Sequence, residues 1–294
     1  MNKVLLFVLT LAPVLIEGQD LYEIPQNSII GCGENKIFFI DPEIQDDEKS
    51  VFWSWEFDES NSNIPESFVV RGVDECKPID NNQKILFTSG GSSGILDIES
   101  RNIEFYAKTY NAHSADTLPG GYIAIANSLN PKGNSLVLYH RSKPDEVLWQ
   151  DTLYFGHGVI WNKKYNRLYA LGYDKIVEYS FNSEAQDGEY MNKESEYKMP
   201  DGGGHDLSYV DADTYLVSTN KSVFVFDLNK KNFHEFKRMK GLPEVKSVNY
   251  DRNTGRLTYT KGEESWWTSN IYTENPHRVI YIPDFRLYKT RIVK

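Results

Sequence analysis

A strand, a tight turn and a second strand recur six times along the chain, and this recurrence limits its fold more than any other feature. The pattern reads IIGCGENKIFFID from Ile29, ILFTSGGSSGILDI from Ile85, YIAIANSLNPKGNSLVLYH from Tyr122, LYALGYDKIVEYSF from Leu168, YLVSTNKSVFVFDL from Tyr215 and LTYTKGEESWWTSNIYT from Leu257. Apolar and polar residues alternate within the strands, and Gly, Asn, Asp, Ser and Pro separate them, which is the signature of half-buried hairpins. Successive starts lie 56, 37, 46, 47 and 42 residues apart. A strand-filled period of about 40 to 50 residues marks propeller blades.

Each hairpin is preceded by another short strand and followed by an outer one, such as Val147 to Tyr154 or Arg278 to Pro283. Four strands in each of six units predict an all-β, six-bladed β-propeller, in which radial repetition leaves only short edges. Little chain precedes Ile29, so the first unit lacks an inner strand; the run FRLYKTRIV from Phe285 to Val293 supplies it and closes the ring. The aromatic share of 14%, with 19 Tyr and 15 Phe, agrees, because rings pack well on pleated surfaces. The polar stretch from Asn182 to Met199 reads as a long loop or a ragged outer strand, and Glu43 to Ser50 and Glu59 to Pro65 read as solvated loops.

Residues 1–18 hold one lysine and an apolar run from Val4 to Ile16, too short to span a bilayer comfortably. A secretory signal peptide cleaved after Gly18 fits this run, leaving residues 19–294 as one soluble, secreted, monomeric propeller domain. The net charge of −10 argues against nucleic acid or an anionic membrane as partner. Cys32 and Cys76 are the two cysteines, and export favours a disulfide that clips the first blade to the second; the alternative is two buried free thiols. Asn220-Lys221-Ser222 is a glycosylation sequon, relevant in a eukaryotic host.

Counting back nine to eleven residues from five of the hairpins reaches Glu75, His113, His157, His205 and Lys246, at the heads of the innermost strands. Those strands line a propeller's channel, and alternation aims equivalent residues at the axis. Three of the six histidines therefore share one repeat position. His113, His157 and His205 are candidate ligands for a divalent Zn, Mn or Fe ion, with Glu75 as fourth ligand or base and Lys246 as charge partner of the bound molecule. Without a metal, Glu75 and Lys246 are candidate catalytic groups beside imidazoles that titrate near neutrality. The competing reading is that each histidine ties its blade to the next through backbone hydrogen bonds. Alternation turns Asp206 into its blade, toward backbone amides. Trp161, Trp266 and Trp267 read as packing residues rather than sugar-stacking ones. Ser89 to Gly94 reads as a hairpin turn, since no helix follows it.

The ordered set Glu75-Cys76-Lys77-Pro78, Ala112-His113-Ser114 followed by Leu118-Pro119-Gly120-Gly121, Gly156-His157-Gly158-Val159-Ile160-Trp161, Gly204-His205-Asp206-Leu207, Val245-Lys246-Ser247 and Trp266-Trp267-Thr268 resembles a family of secreted six-bladed propellers of bacteria and fungi with no established activity. A looser similarity of architecture links the chain to propeller polysaccharide lyases, including oligogalacturonate lyase, in which channel histidines hold a metal beside the uronate. These resemblances imply the propeller fold and a role for the quoted residues. The functional expectation is a channel-mouth site for a metal, an extracellular carbohydrate or another small anionic ligand, with glycan cleavage as one outcome. The alternative is a non-catalytic extracellular binding or matrix scaffold.

Overall fold

The computed structural model describes residues 23–58, 64–185 and 188–294, so the expected signal peptide lies outside the described residues. Six four-stranded antiparallel sheets stand around a central channel. The first blade begins with β1 (Ile29–Gly33), β2 (Lys36–Ile40) and β3 (Val51–Glu56). The second holds β4 (Val73–Ile79), β5 (Lys84–Ser89), β6 (Ser92–Asp97) and β7 (Ile103–Lys108), and the third β8 (Ala112–Leu118), β9 (Tyr122–Asn127), β10 (Ser135–His140) and β11 (Trp149–Thr152). The fourth holds β12 (Gly158–Asn162), β13 (Arg167–Leu171), β14 (Lys175–Phe181) and β15 (Met191–Lys198), and the fifth β16 (Asp206–Asp211), β17 (Thr214–Ser218), β18 (Val223–Asp227) and β19 (Asn232–Glu235). The sixth holds β20 (Val245–Tyr250), β21 (Leu257–Lys261), β22 (Asn270–Glu274) and β23 (Arg278–Tyr281). The last strand, β24 (Leu287–Ile292), returns to pair with β1 as the inner strand of the first blade, so the ring closes as its sequence pattern predicts.

The polar stretch after Phe181 supplies β15, an eight-residue outer strand. The segment from Glu43 to Ser50 is not all loop: Asp46 accepts a hydrogen bond from the Lys49 amide at 3.2 Å and caps a single helical turn, α1 (Asp47–Ser50). Within Ser89 to Gly94, Gly90 and Gly91 make the β5–β6 turn and Ser92 to Gly94 already belong to β6.

Apolar side chains from facing sheets pack into clusters that each bridge two neighbouring blades. Phe39, Trp53 and Trp55 of the first blade meet Phe87 of the second, and Ile160 and Tyr169 of the fourth meet Leu207 and Val217 of the fifth. Side chains buried like Phe87 contribute about 1.5–3 kcal/mol each. Cys32 and Cys76 fall in the first of these clusters as free, buried thiols rather than the expected disulfide. Burial and the neighbouring Cys76 push the Cys32 thiol up, away from the reactive thiolate.

Each inner strand begins with two residues set against one on its neighbour. The register slips at Asp74 in β4, at His113 in β8 and at Lys246 in β20. In β24 it slips at Tyr288, since Leu287 pairs with Gly33 and Lys289 with Cys32. His157 and His205 stand just before β12 and β16, and their amides donate to Leu171 and Ser218, the residues that also pair with Gly158 and Asp206. A bulge leaves its extra residue unpaired and re-aims the side chain. The mouth of the channel therefore carries Tyr288, Asp74, His113, His157, His205 and Lys246 as one layer. The next layer down is Lys289, Glu75, Ser114, Gly158, Asp206 and Ser247. Gly158 is required there by close approach, because a Cβ would come within 2.5 Å of the Leu207 Cβ.

Candidate functional site at the channel mouth

The three histidines expected to converge do so, as a stack. The His113 and His157 rings lie 4.1 Å apart at 32°, and Phe155 stacks on the other face of His157 at 4.1 Å and 21°. Phe155 holds a φ of 58°, strained for a bulky residue, to place its ring there. His157 Nδ1 donates to the Phe155 carbonyl at 3.1 Å, and His113 Nδ1 lies 3.2 Å from the Tyr288 hydroxyl. His205 stands edge-on to His157 at 5.5 Å, with Nε2 2.7 Å from the Asn220 Oδ1 and 3.0 Å from the Lys246 Nζ. A ring protonated on Nε2 satisfies Asn220 and leaves Nδ1 buried without a partner.

This stack is not a metal shell. The lone pairs of imidazoles lie in the ring planes, so the facing rings of His113 and His157 direct them past one another, while an ammonium crowds His205. Among the described residues no group of three His, Cys, Asp or Glu side chains is placed to hold a metal ion. Burial pushes all three imidazoles down from the usual histidine range, helped by Lys289 at His113 and by the neighbouring rings at His157. His205 is pushed down to about 4 by burial and by Lys246. All three are neutral at pH 7.

Glu75 sits one layer below its expected place, and Asp74 occupies the mouth position. Arg291 Nη2 lies 2.6 Å from both the Glu75 Oε2 and the Asp206 Oδ1, and Nη1 lies 2.9 Å from the Asp206 Oδ2. Lys289 sits 3.8 and 3.5 Å from the same two carboxylates and donates to the His113 and His157 carbonyls at 3.1 and 3.2 Å. Burial alone would raise both carboxyls, but Arg291 and Lys289 outweigh it and hold them below the usual range. Glu75 is thus a spent ion-pair partner, closed off from the mouth. Asp206 accepts the Val248 amide at 3.0 Å, as its predicted role toward backbone amides requires, but it also faces the axis. Lys246 is likewise occupied: its Nζ donates to Glu244 at 2.8 Å, so the cation expected to meet a ligand is turned toward the protein.

A cavity of 760 Å³ opens beside the stack, lined by Arg71, Asp74, His113, Trp266, Arg286 and Tyr288 among others. Trp266 is 45% exposed and meets Tyr288 edge-on at 5.7 Å, which corrects its reading as a packing residue. Trp161, by contrast, is buried edge-on against Phe181. Burial raises the Asp74 carboxyl well above the ordinary range, against the pull of Lys289 and with the help of Glu75. Burial, with Asp74 next, also raises the Tyr288 hydroxyl. Arg286 leans on Glu34 at 2.7 Å. Of the predicted site residues only His113 reaches this cavity; His157, His205, Glu75 and Lys246 form its surroundings. Asp74 and Tyr288 escaped detection because the bulges offset a count that assumes one-to-one pairing. The alternation Tyr288-Lys289-Thr290-Arg291 was the available signal for the buried cations.

The family described as a family of unknown function (DUF6528) matches residues 13–294. No curated protein matches the chain. Among solved structures, a protein of unknown function from Bacteroides caccae aligns with a TM-score of 0.58 at 11% identity, covering 92% of this chain and 100% of that one. A nidogen/laminin complex aligns with a TM-score of 0.61 at 12% identity, covering 91% and 98%. A functionally unknown protein from Desulfotomaculum acetoxidans aligns at 0.59 and 11%, covering 92% and 87%. At these identities the likeness is one of fold.

Proposed function

The chain belongs to this family of unknown function, and from that premise we propose that it is a ligand-binding propeller whose mouth cavity takes a small anionic, carbohydrate-like molecule, a sugar acid. The observation that carries this reading is the exposed Trp266 ring set against Tyr288 in a 760 Å³ cavity that also holds Arg71 and Arg286. An indole face covers the apolar face of a sugar ring. A guanidinium takes a carboxylate in charge-assisted hydrogen bonds. His113, shifted toward its neutral form, and the Asp74 carboxyl, shifted toward its protonated form, then offer hydrogen-bonding groups to hydroxyls with less charge to repel the acid. Export through the N-terminal apolar run would expose this mouth to glycan fragments outside the cell.

Titration with galacturonate and glucuronate oligomers, followed by tryptophan fluorescence, tests this. Saturable binding is expected, at least tenfold weaker for Trp266→Ala and for Arg71→Ala, with neutral sugars of the same ring binding less well. Tenfold corresponds to about 1.4 kcal/mol. Unchanged affinity in both variants would reject the cavity as the site.

A further inference from the structure

The channel has a second mouth, and it is built from one more inward layer of the same six strands. Two residues beyond the Glu75–Asp206 layer, the inner strands present Arg291, Lys77, Asp116, Ile160, Ser208 and Asn249, and all six line one cavity of 220 Å³. Tyr209 and Lys294 stand at its rim. The cavity is below the roughly 300–1,000 Å³ of common small-molecule pockets, so its ligand is small.

Pairing is incomplete at this end. Glu75 and Asp206 are matched by Lys289 and Arg291. Lys77 feels Asp116 first, with Glu75 behind it, and no ion pair within 4.0 Å joins it to either among the described residues. Asp116 spends both oxygens on the backbone amides of Thr117 and Trp161, each at 2.8 Å. Burial pushes its carboxyl up toward the neutral form, against Lys77. The Lys77 ammonium has three donors but one protein acceptor, the Val159 carbonyl at 2.7 Å. Ser208 is nine-tenths buried, and its hydroxyl has no partner at all. An unpartnered buried donor costs about 1–3 kcal/mol, so two groups with unfilled donors on one small cavity are explained by an acceptor that fills it.

We propose that this second mouth binds a small monoanionic oxyanion, a carboxylate, held by the Lys77 ammonium and the Ser208 hydroxyl with Arg291 behind them. One Lys77 ammonium balances one negative charge, and Arg291 is already paired with Glu75 and Asp206, so the second charge of a phosphate dianion meets no free cation in this layer. The site is separate from the sugar-acid cavity, with the ion layer between them.

Thermal-shift and calorimetric titrations of the full chain with acetate, lactate and inorganic phosphate at constant ionic strength decide the matter. Saturable carboxylate binding is expected, weakened at least tenfold in Lys77→Met and severalfold in Ser208→Ala, and unchanged in Trp266→Ala. Ser208→Ala removes no hydrogen bond of the fold, so it decides alone if Lys77→Met does not fold. Absence of saturable binding of all three anions to the wild type overturns the proposal, as does wild-type affinity in the folded variants. Phosphate binding tighter than either carboxylate overturns the choice of a single-charged ligand.

Discussion

His205 is held between the Asn220 amide and the Lys246 ammonium, with an imidazole nitrogen that has no partner inside the protein. Protonation would bury a second positive charge 3.0 Å from the first, and so the ring stays neutral down to about pH 4. The unfolded chain takes up that proton from about pH 6.5 downward, so the stability owed to a neutral His205 is complete above pH 6.5 and is lost as the pH falls toward 4. The gap amounts to about 3 kcal/mol. His113 and His157 act in the same direction, whereas Asp74, raised rather than lowered, is favoured in the native state by acid and opposes them. Urea denaturation at pH 7.5 and pH 4.5 should therefore show an acid loss in the wild type that is clearly smaller in His205→Gln. Equal losses in the two proteins would mean that His205 is not buried neutral. The Asn220 contact also bears on the sequon: a glycan on that amide would displace the group that orients His205.

At the level of the strand, the hairpins were legible because two local signals agree in each of them, alternation within the strands and turn-forming residues between. Their starts in the sequence match the strands that form to within one residue, from Ile29 to Leu257. The head of each inner strand was legible only to within a residue. Alternation predicts that neighbours face opposite ways, but a bulge turns both Asp74 and Glu75, and both Tyr288 and Lys289, toward the channel. The count accordingly puts Glu75 at the mouth, and the alternation of Lys289 and Arg291 in FRLYKTRIV sets both on one face without saying that Glu75 and Asp206 meet them there. Arg291 is the test of this arrangement. Arg291→Met leaves Glu75 and Asp206 facing each other with only Lys289 between them, and uncompensated buried charge costs about 3–5 kcal/mol. Adding Glu75→Gln and Asp206→Asn to that variant should recover part of the loss in a denaturant titration. A loss below about 1 kcal/mol for Arg291→Met alone would show that the ion layer is dispensable.

For the whole ring, β24 does three things at once. It pairs with β1 from Ile29↔Ile292 through Gly33↔Leu287, it carries Lys289 and Arg291 into the channel, and it brings Tyr288 to the mouth. Each blade packs only on its two neighbours, so an open ring leaves the first and sixth blades each lacking one packed face and leaves β1 as a bare inner edge. A sheet edge without its partner strand pairs with other chains. The closing strand is also tied to the segment before β1, since the Asn27 amide donates to the Val293 carbonyl at 3.0 Å. Removing residues 285–294 should broaden and lower the thermal transition relative to that of the intact chain and produce larger oligomers in size-exclusion chromatography. A synthetic peptide of residues 283–294 added in trans should then restore the elution volume of the intact chain, by adding its strand to the free edge of β1. The same peptide with Lys289 and Arg291 both changed to Met should restore it poorly, because it supplies the strand without the charges that Glu75 and Asp206 require. A truncated chain that unfolds as sharply as the full one would show that the ring holds without its closure. Equal rescue by both peptides would assign the closure to strand pairing alone.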